Sequence, residues 1–157
     1  RGTKDSDVLE TAALTPETKQ RLLALAGEGT KLHKRHKLYI DIVPNGVPFL
    51  PQAPVWHVLV DLNRSLCHFE LQVLDVVDVV VSKLKRLNAN DVSDVEAMID
   101  KGLVPHATLI ARFENAVEYY SMDTRANDLP RYVRNLHRVE SDLFGVPESE
   151  IELPSWI

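Results

Sequence analysis

Two aspartates near the start of the chain, Asp5 and Asp7, stand one residue apart in the stretch RGTKDSDVLE. Val8 and Leu9 follow them, and this pattern predicts a β-strand over residues 5–10. Alternate side chains of a strand point to one face, so the two carboxylates can converge on a single cation. Mg²⁺ commonly takes one or two protein carboxylates and completes its shell with water and substrate phosphates. The alternative is an edge strand whose aspartates only face solvent.

A third carboxylate, Asp41, lies inside the apolar stretch LYIDIV, which predicts a strand over residues 38–43 that ends before Pro44. An acid in such a strand lies either at the solvent face or in a site, because burying an unpaired charge is costly. If this strand lies beside the first one, three carboxylates gather in one place. The sequence alone does not establish that pairing.

The elements around these acids are strands and helices in the first half of the chain. A helix is predicted from Pro16, with Thr15 as its N-cap and Gly27 just past its end. The basic stretch KLHKRHK that follows is a connector or a helix end. The stretch HFELQVL, residues 68–74, alternates in hydrophobicity and predicts another strand.

From Asp75 onward the pattern is helical. Apolar residues recur at helical spacing in four segments, the last of which has Asp128 as its predicted N-cap. We therefore predict an α+β fold, in which a small mixed β-sheet is followed by a helical C-terminal half. Residues 1–74 would form an α/β core, and residues 75–157 would form helices packed on the same domain.

Charge and cysteine content narrow the function classes. The net charge of −5 argues against a general nucleic-acid coat protein. Residues 1–40 contain 8 Lys and Arg against 5 Asp and Glu, so an anionic substrate is better sought there. Cys67 is the only cysteine, which excludes an internal disulfide and predicts a cytoplasmic protein. No apolar run approaches the roughly 18–20 residues of a membrane span.

Two stretches resemble the minimal, toxin-type nucleotidyltransferases of bacteria and archaea, in the DNA polymerase beta-like superfamily that includes abortive-infection toxins. RGTKDSDV is similar to the family's Arg-x-Thr-x-Asp-x-Asp segment. VLDVVDVVVSKLKRLNANDVSDVEAMI is similar to a later block, with a Ser-Lys-Leu-like lysine, a basic residue and an Asp-x-x-Asp helix start. The matching positions are Lys83, Arg86, Asp91 and Asp94. Asn90 departs from the pattern, since the family commonly has a basic residue there.

The resemblance implies a nucleotidyltransferase-like core and the transfer of a nucleoside monophosphate from an NTP to an acceptor hydroxyl on RNA or protein. It also implies a toxin of a toxin–antitoxin system, with an antitoxin protein as partner. Asp5 and Asp7 would bind Mg²⁺, or Mn²⁺ in its place. Asp41 would be the third acid, as metal ligand or as base toward the hydroxyl.

The later block implies roles for four further residues. Lys83 and Arg86 would bind nucleotide phosphate, and Asp91 and Asp94 would order Lys83 or contact the acceptor. The residues themselves also allow a structural interpretation. Lys83 can be a helix-end lysine that extends to solvent, and the two acids can be favourable charges in a first helical turn.

The family's Gly-Gly or Gly-Ser turn, whose backbone amides bind the triphosphate, is expected before the acid pair. It would lie upstream of Arg1 or have been lost. Loss would favour the alternative function, a non-catalytic binding or regulatory module that acts through its C-terminal helices. A metal-dependent phosphodiesterase that uses the same acids is a third possibility. Arg131, Arg134 and Arg138 recur on one side of the last helix, as a solvated stripe or a surface for RNA or an acidic partner.

Overall fold

The computed structural model describes residues 5–44, 46–122 and 124–157 of the chain, with Asp5 described in its backbone only. Over these residues the chain contains seven α-helices and two sheets of two strands each, which confirms the predicted α+β class. The chain divides into two compact units, Arg1–Pro48 and Phe49–Ile157.

The first unit is built from two strands with two helices between them. In chain order its elements are β1 (Asp5–Leu9), α1 (Pro16–Ala26), α2 (Lys31–His36) and β2 (Tyr39–Val43). β1 and β2 pair in parallel, as expected when a helical crossover rather than a tight turn joins two strands. α1 packs against β2, and Ile42 in that strand is buried.

Helix α1 has the boundaries that its sequence predicts. The Thr15 hydroxyl accepts a hydrogen bond of 3.2 Å from the Thr18 amide, and Pro16 follows at the first helical position. At the other end the Gly27 amide donates to the Leu23 carbonyl at 2.9 Å. A Cβ at Gly27 would lie 2.5 Å from that carbonyl oxygen, so the close approach requires glycine.

The basic stretch KLHKRHK forms a helix of its own, α2. The Thr30 hydroxyl caps it by accepting a hydrogen bond of 3.3 Å from the His33 amide. Lys37 ends the helix in the left-handed conformation, with φ of 59°. The caps at both ends explain why this stretch is a separate helix and not only a connector.

The second unit begins with a short antiparallel sheet and continues as a set of helices. Its strands and first helix are β3 (Trp56–Val58), α3 (Val60–Asn63) and β4 (Gln72–Leu74). The following elements are α4 (Val76–Leu84), α5 (Ala89–Asp100), α6 (His106–Tyr120), a 3₁₀ turn (Ala126–Asp128), α7 (Leu129–Val139) and a π-helical turn (Glu140–Phe144).

The small sheet differs from its prediction in two respects. β3 pairs with β4 but has no counterpart in the predicted elements. β4 begins only at Gln72, although the predicted strand covers residues 68–74. The Asn63 side chain accepts a hydrogen bond from the Leu71 amide at 2.6 Å and donates one to the Leu71 carbonyl at 2.8 Å. The Asn63 side chain thus takes the Leu71 amide, while the Leu71 carbonyl also accepts a hydrogen bond of 3.2 Å from the Leu59 amide.

Helices α4, α6 and α7 pack together around the core of the second unit. The valines of α4 favour strand by propensity, yet Val77, Val80 and Val81 are buried on one helical face, as predicted. Asp128 precedes α7 at the predicted N-cap position, but its carboxylate pairs with Arg131 at 3.2 Å and makes no cap bond. The largest fully buried side chains include Phe49, Leu84, Leu109, Phe113, Leu129, Tyr132 and Leu136.

An ion pair with a fully buried carboxylate joins the helices of this unit. Asp78 in α4 is fully buried and accepts hydrogen bonds of 2.7 Å from both Nε and Nη2 of Arg112 in α6. The Val55 amide donates to the same carboxylate at 2.8 Å, and Arg112 also donates to the Ala53 carbonyl at 2.9 Å. The pair therefore fixes α4, α6 and the chain leading into β3 to one another.

We predict that Arg112→Met lowers the free energy of unfolding by about 3–5 kcal/mol, because it leaves the buried Asp78 carboxylate without its counter-ion. Urea unfolding followed by circular dichroism measures this. Arg138→Met is the matched control, since Arg138 pairs with Asp142 at 3.4 Å on the surface and should lose less than about 1 kcal/mol. Equal losses in the two variants would show that the buried pair has no special structural role.

Candidate active site

The parallel register of β1 on β2 brings two of the predicted acids together. Asp7 lies directly opposite Asp41, and Asp5 lies opposite Tyr39. Residues in register on neighbouring strands project from the same face of the sheet. Asp7 and Asp41 are both exposed, whereas Ile42 on the other face is buried. The two strands are thus neighbours, and two carboxylates share their exposed face.

Asp41 is partly oriented by its own strand. Its Oδ1 accepts a hydrogen bond of 2.9 Å from the Ile42 amide. The described residues supply no hydrogen bond to its Oδ2. The carboxylate is thus held at one oxygen, and the other oxygen is available for a cation or a proton.

An open cavity of about 320 Å³ adjoins Asp41 in the first unit. It lies between the C-terminal end of α1 and β2, where Gly27 allows the chain to turn tightly against Leu23. The residues that line it are Leu23, Gly27, Glu28, Tyr39, Ile40 and Asp41. Of the two exposed acids, Asp41 therefore has a concave surface beside it.

The fit of a divalent metal to this face rests on the two described carboxylates. Oxygen ligands of this kind suit Mg²⁺, which needs only one or two of them from a protein. Over the described part of the chain, no three His, Cys, Asp or Glu side chains are grouped closely enough to form a metal site by themselves. The structure does not describe the Asp5 side chain, for which a metal-binding role is predicted. Arg1 and Thr3 of the same motif also lie outside the described residues.

The second unit brings together all four residues of the later block. Lys83 Nζ donates to Asp94 Oδ2 at 2.8 Å and to Asp91 Oδ1 at 3.2 Å. Arg86 donates to Asp91 through Nε at 2.9 Å and through Nη2 at 3.1 Å. Asp91 is 2% exposed, while Arg86 is largely exposed. Both acids thus contact Lys83 and fix the position of its ammonium group.

The connection between α4 and α5 positions this cluster. Asn88 caps α5 by accepting hydrogen bonds from the Asp91 amide at 3.0 Å and the Asn90 amide at 2.9 Å. In return the Asp91 carboxylate accepts from the Asn88 amide at 3.1 Å, which completes a capping box. Asp91 thus stabilises the start of the helix and also binds both cations. Asp91 therefore has the structural role of an acid in the first turn of a helix, in addition to its contacts with the two cations.

The cluster shifts the pKa values of its members in opposite directions. Burial alone would lower the pKa of Lys83, but the hydrogen bonds to Asp94 and Asp91 outweigh it and raise that pKa. Burial alone would raise the pKa of Asp91, but the bonds from Arg86, Asn88 and Lys83 outweigh it and lower that pKa. Lys83 is therefore held as a cation and Asp91 as an anion.

A buried carboxylate that the sequence interpretation missed lies in the π-helical turn. Glu140 is fully buried and accepts from His106 Nε2 at 2.8 Å, from the Ser149 amide at 3.0 Å and from the Ser149 hydroxyl at 2.5 Å. The serine contacts the carboxylate and not the imidazole, so this is not a serine–histidine nucleophile pair. The cluster instead ties the segment after the turn to α6. A charged residue at an apolar helical position was the only sequence signal for it.

Comparison of the chain with protein-family models, with curated proteins and with solved structures found no significant match. The resemblance to nucleotidyltransferases therefore stays a prediction. Among the described residues, no helix is long and apolar enough to span a bilayer.

The lowered pKa of Asp91 predicts how stability depends on pH. The folded value lies below the ordinary 3.8, so the stabilisation by this charge is complete above about pH 4 and is lost as the pH falls through the lowered value. We expect Asp91→Asn to lower the free energy of unfolding by about 2 kcal/mol at pH 7. The difference from wild type should shrink toward pH 3.

Urea unfolding at both pH values tests this. Asp142→Asn is the control, since Asp142 is a surface acid, and it should change stability little at either pH. A deficit in Asp91→Asn that is the same at pH 7 and pH 3 would contradict the prediction, because the ionised carboxylate would then not be the stabilising group.

Proposed function

We propose that this protein is a Mg²⁺-dependent nucleotidyltransferase that transfers a nucleoside monophosphate from an NTP to a hydroxyl of an acceptor RNA or protein. The main support is the parallel register that sets Asp7 opposite Asp41 on an exposed face. The two sequence blocks that resemble such enzymes point the same way. A toxin role with an antitoxin partner, as in the family, belongs to the same proposal.

In this reaction the acceptor oxygen bonds to the α-phosphorus of the NTP. The bond from that phosphorus to the oxygen bridging the β-phosphate breaks, and pyrophosphate leaves. Mg²⁺, when bound, would neutralise phosphate charge and align the attacking and leaving oxygens. Asp7 and Asp41 would bind it through carboxylate oxygens, with Asp5 as the further ligand that the resemblance implies. Alternatively, Asp41 Oδ2 would accept the proton that the acceptor hydroxyl loses.

In the second unit, the number of hydrogen bonds that Lys83 can donate is consistent with phosphate binding. A lysine ammonium has three N–H donors, and Asp91 and Asp94 accept from Lys83. One donor is therefore left for a phosphate oxygen. The two carboxylates fix the position of the ammonium, which reduces the entropy lost when a phosphate binds.

One observation favours the alternative of a non-catalytic binding module. The Asp91 carboxylate has its full set of partners in Lys83, Arg86 and the Asn88 amide without any substrate. An acid that is satisfied in this way can have a purely structural role, which is to join α4 to α5. Nucleotide binding at the acid pair separates the two functions.

We predict that the protein binds one NTP in the presence of Mg²⁺ and that Asp7→Asn and Asp41→Asn each weaken this binding at least about tenfold, or 1.4 kcal/mol. The reason is that each variant removes a carboxylate that would hold the metal against the triphosphate. Calorimetric titration with each of the four NTPs, with and without Mg²⁺, measures the effect.

Glu17→Gln is the matched control, because Glu17 is an exposed acid of the same unit that pairs with Arg21 on α1. It should bind as wild type does. Circular dichroism should show that all variants fold. Metal-dependent binding of no NTP by the folded protein would overturn the proposal and favour the binding module.

A further inference from the structure

Helix α2 presents a row of positive charge in the same unit as the acid pair. Its residues Lys31, Lys34 and Arg35 lie within about 100° of one another around the helix axis, at 100° per residue. From Gly29 to Ile40 the sequence contains four Lys and Arg and no Asp or Glu. This segment is the origin of the basic excess in the first 40 residues.

The charges on this face are not neutralised within the described part of the protein. Lys31, Lys34 and Arg35 are exposed, and no carboxylate of the described residues forms an ion pair with them. The arginine stripe of α7 differs, because Arg131 pairs with Asp128 at 3.2 Å and Arg138 pairs with Asp142 at 3.4 Å. Arg134 of that stripe is exposed and has no ion pair within the described residues. All three charges of the α2 face are therefore left for a partner, against one of the three in α7.

This arrangement is unfavourable for the isolated helix. Lys31 and Arg35 are like charges four residues apart, a spacing that destabilises a helix by roughly 0.2–0.5 kcal/mol. Lys34 and Arg35 also lie at the helix C-terminus, which compensates in part through the helix dipole. An anionic partner would relieve the remaining repulsion.

We propose that the α2 face, defined as Lys31, Lys34 and Arg35, binds the phosphate backbone of single-stranded RNA. Six residues span about 9 Å, which matches the phosphates of a few nucleotides and suits a strand end rather than a duplex. The three side chains of the face are all charged, whereas a surface that binds another protein usually has apolar residues at its centre. Leu32 lies at its flank, and one leucine on so short a helix is too little for a membrane surface.

If the bound RNA is the acceptor substrate, this inference rests on the proposed transferase function, because the RNA would supply the hydroxyl. RNA binding by α2 does not itself require nucleotide transfer. The two can therefore fail separately.

The test is fluorescence anisotropy with a labelled single-stranded RNA of 20 nucleotides, without metal or NTP, at several KCl concentrations. Three phosphate contacts predict a slope of log K against log salt of about −2. The triple variant Lys31→Gln/Lys34→Gln/Arg35→Gln should weaken binding at least about tenfold at low salt and bring the slope close to zero. The matched control Arg131→Gln/Arg134→Gln/Arg138→Gln removes the same charge from α7 and should bind RNA within about twofold of wild type.

The proposal for the α2 face would be overturned if wild type did not bind the RNA, or if the α2 triple variant bound it as wild type does. Equal weakening in both triple variants would also overturn it. So would tighter binding of a poly-glutamate peptide or of phosphatidylserine vesicles than of RNA. The Asp7→Asn/Asp41→Asn variant separates the two proposals. It should keep RNA binding while it loses NTP binding. If wild type binds RNA through α2 but binds no NTP, the RNA is not an acceptor substrate, and the proposal that α2 binds RNA still holds.

Discussion

The chemistry proposed for this chain depends on one constraint, the parallel pairing of β1 with β2. The crossover through α1 and α2 imposes the strand direction, and the register then sets Asp7 opposite Asp41. A slip of one residue would move one of the two acids to the face that contains buried Ile42. Ile42 is buried and α1 packs against its strand, so burial of this side chain stabilises the register that keeps both carboxylates exposed.

Charge in the second unit follows a different rule. The three fully or nearly buried acids, Asp78, Asp91 and Glu140, each have a basic partner and a backbone amide donor. Within the described residues, every buried side-chain nitrogen or oxygen has a hydrogen-bond partner. Two of these pairs join elements that are distant in sequence, since Asp78 and Arg112 are 34 residues apart and so are His106 and Glu140. Paired acids fix the helices to one another, while Asp7 and Asp41 in the first unit lie on the surface.

Local signals in the sequence predicted local structure well. Thr15, Pro16 and Gly27 mark the ends of α1 because capping and φ preferences act over a few residues. The α4 valines were assigned to a helix because their spacing outweighed their strand propensity. Strand β3 was missed because three residues give too short a pattern, and its pairing with β4 is a long-range property.

In the candidate site, too, the sequence predicted local features but not contacts between distant residues. The spacing of Asp91 and Asp94 placed both acids on one side of a helix, but the cap formed by Asn88 was not predicted. The sequence placed Asp41 in a strand and could not say which strand lay beside it. Nor could it show the partners of Asp78 or Glu140, because such contacts depend on how the helices pack. Runs of basic residues were visible in both α2 and α7, and only the structure showed that Arg131 and Arg138 of α7 pair with acids.

The most direct test of the acid pair is a crystal structure of the protein grown with Mn²⁺ and a non-hydrolysable NTP, with anomalous scattering used to locate the metal. A shared metal site predicts an anomalous peak about 2.1 Å from carboxylate oxygens of both Asp7 and Asp41, with triphosphate oxygens completing the shell. An intact β1–β2 sheet with NTP bound elsewhere, and no peak at the pair, would contradict the site and the reaction proposed for it.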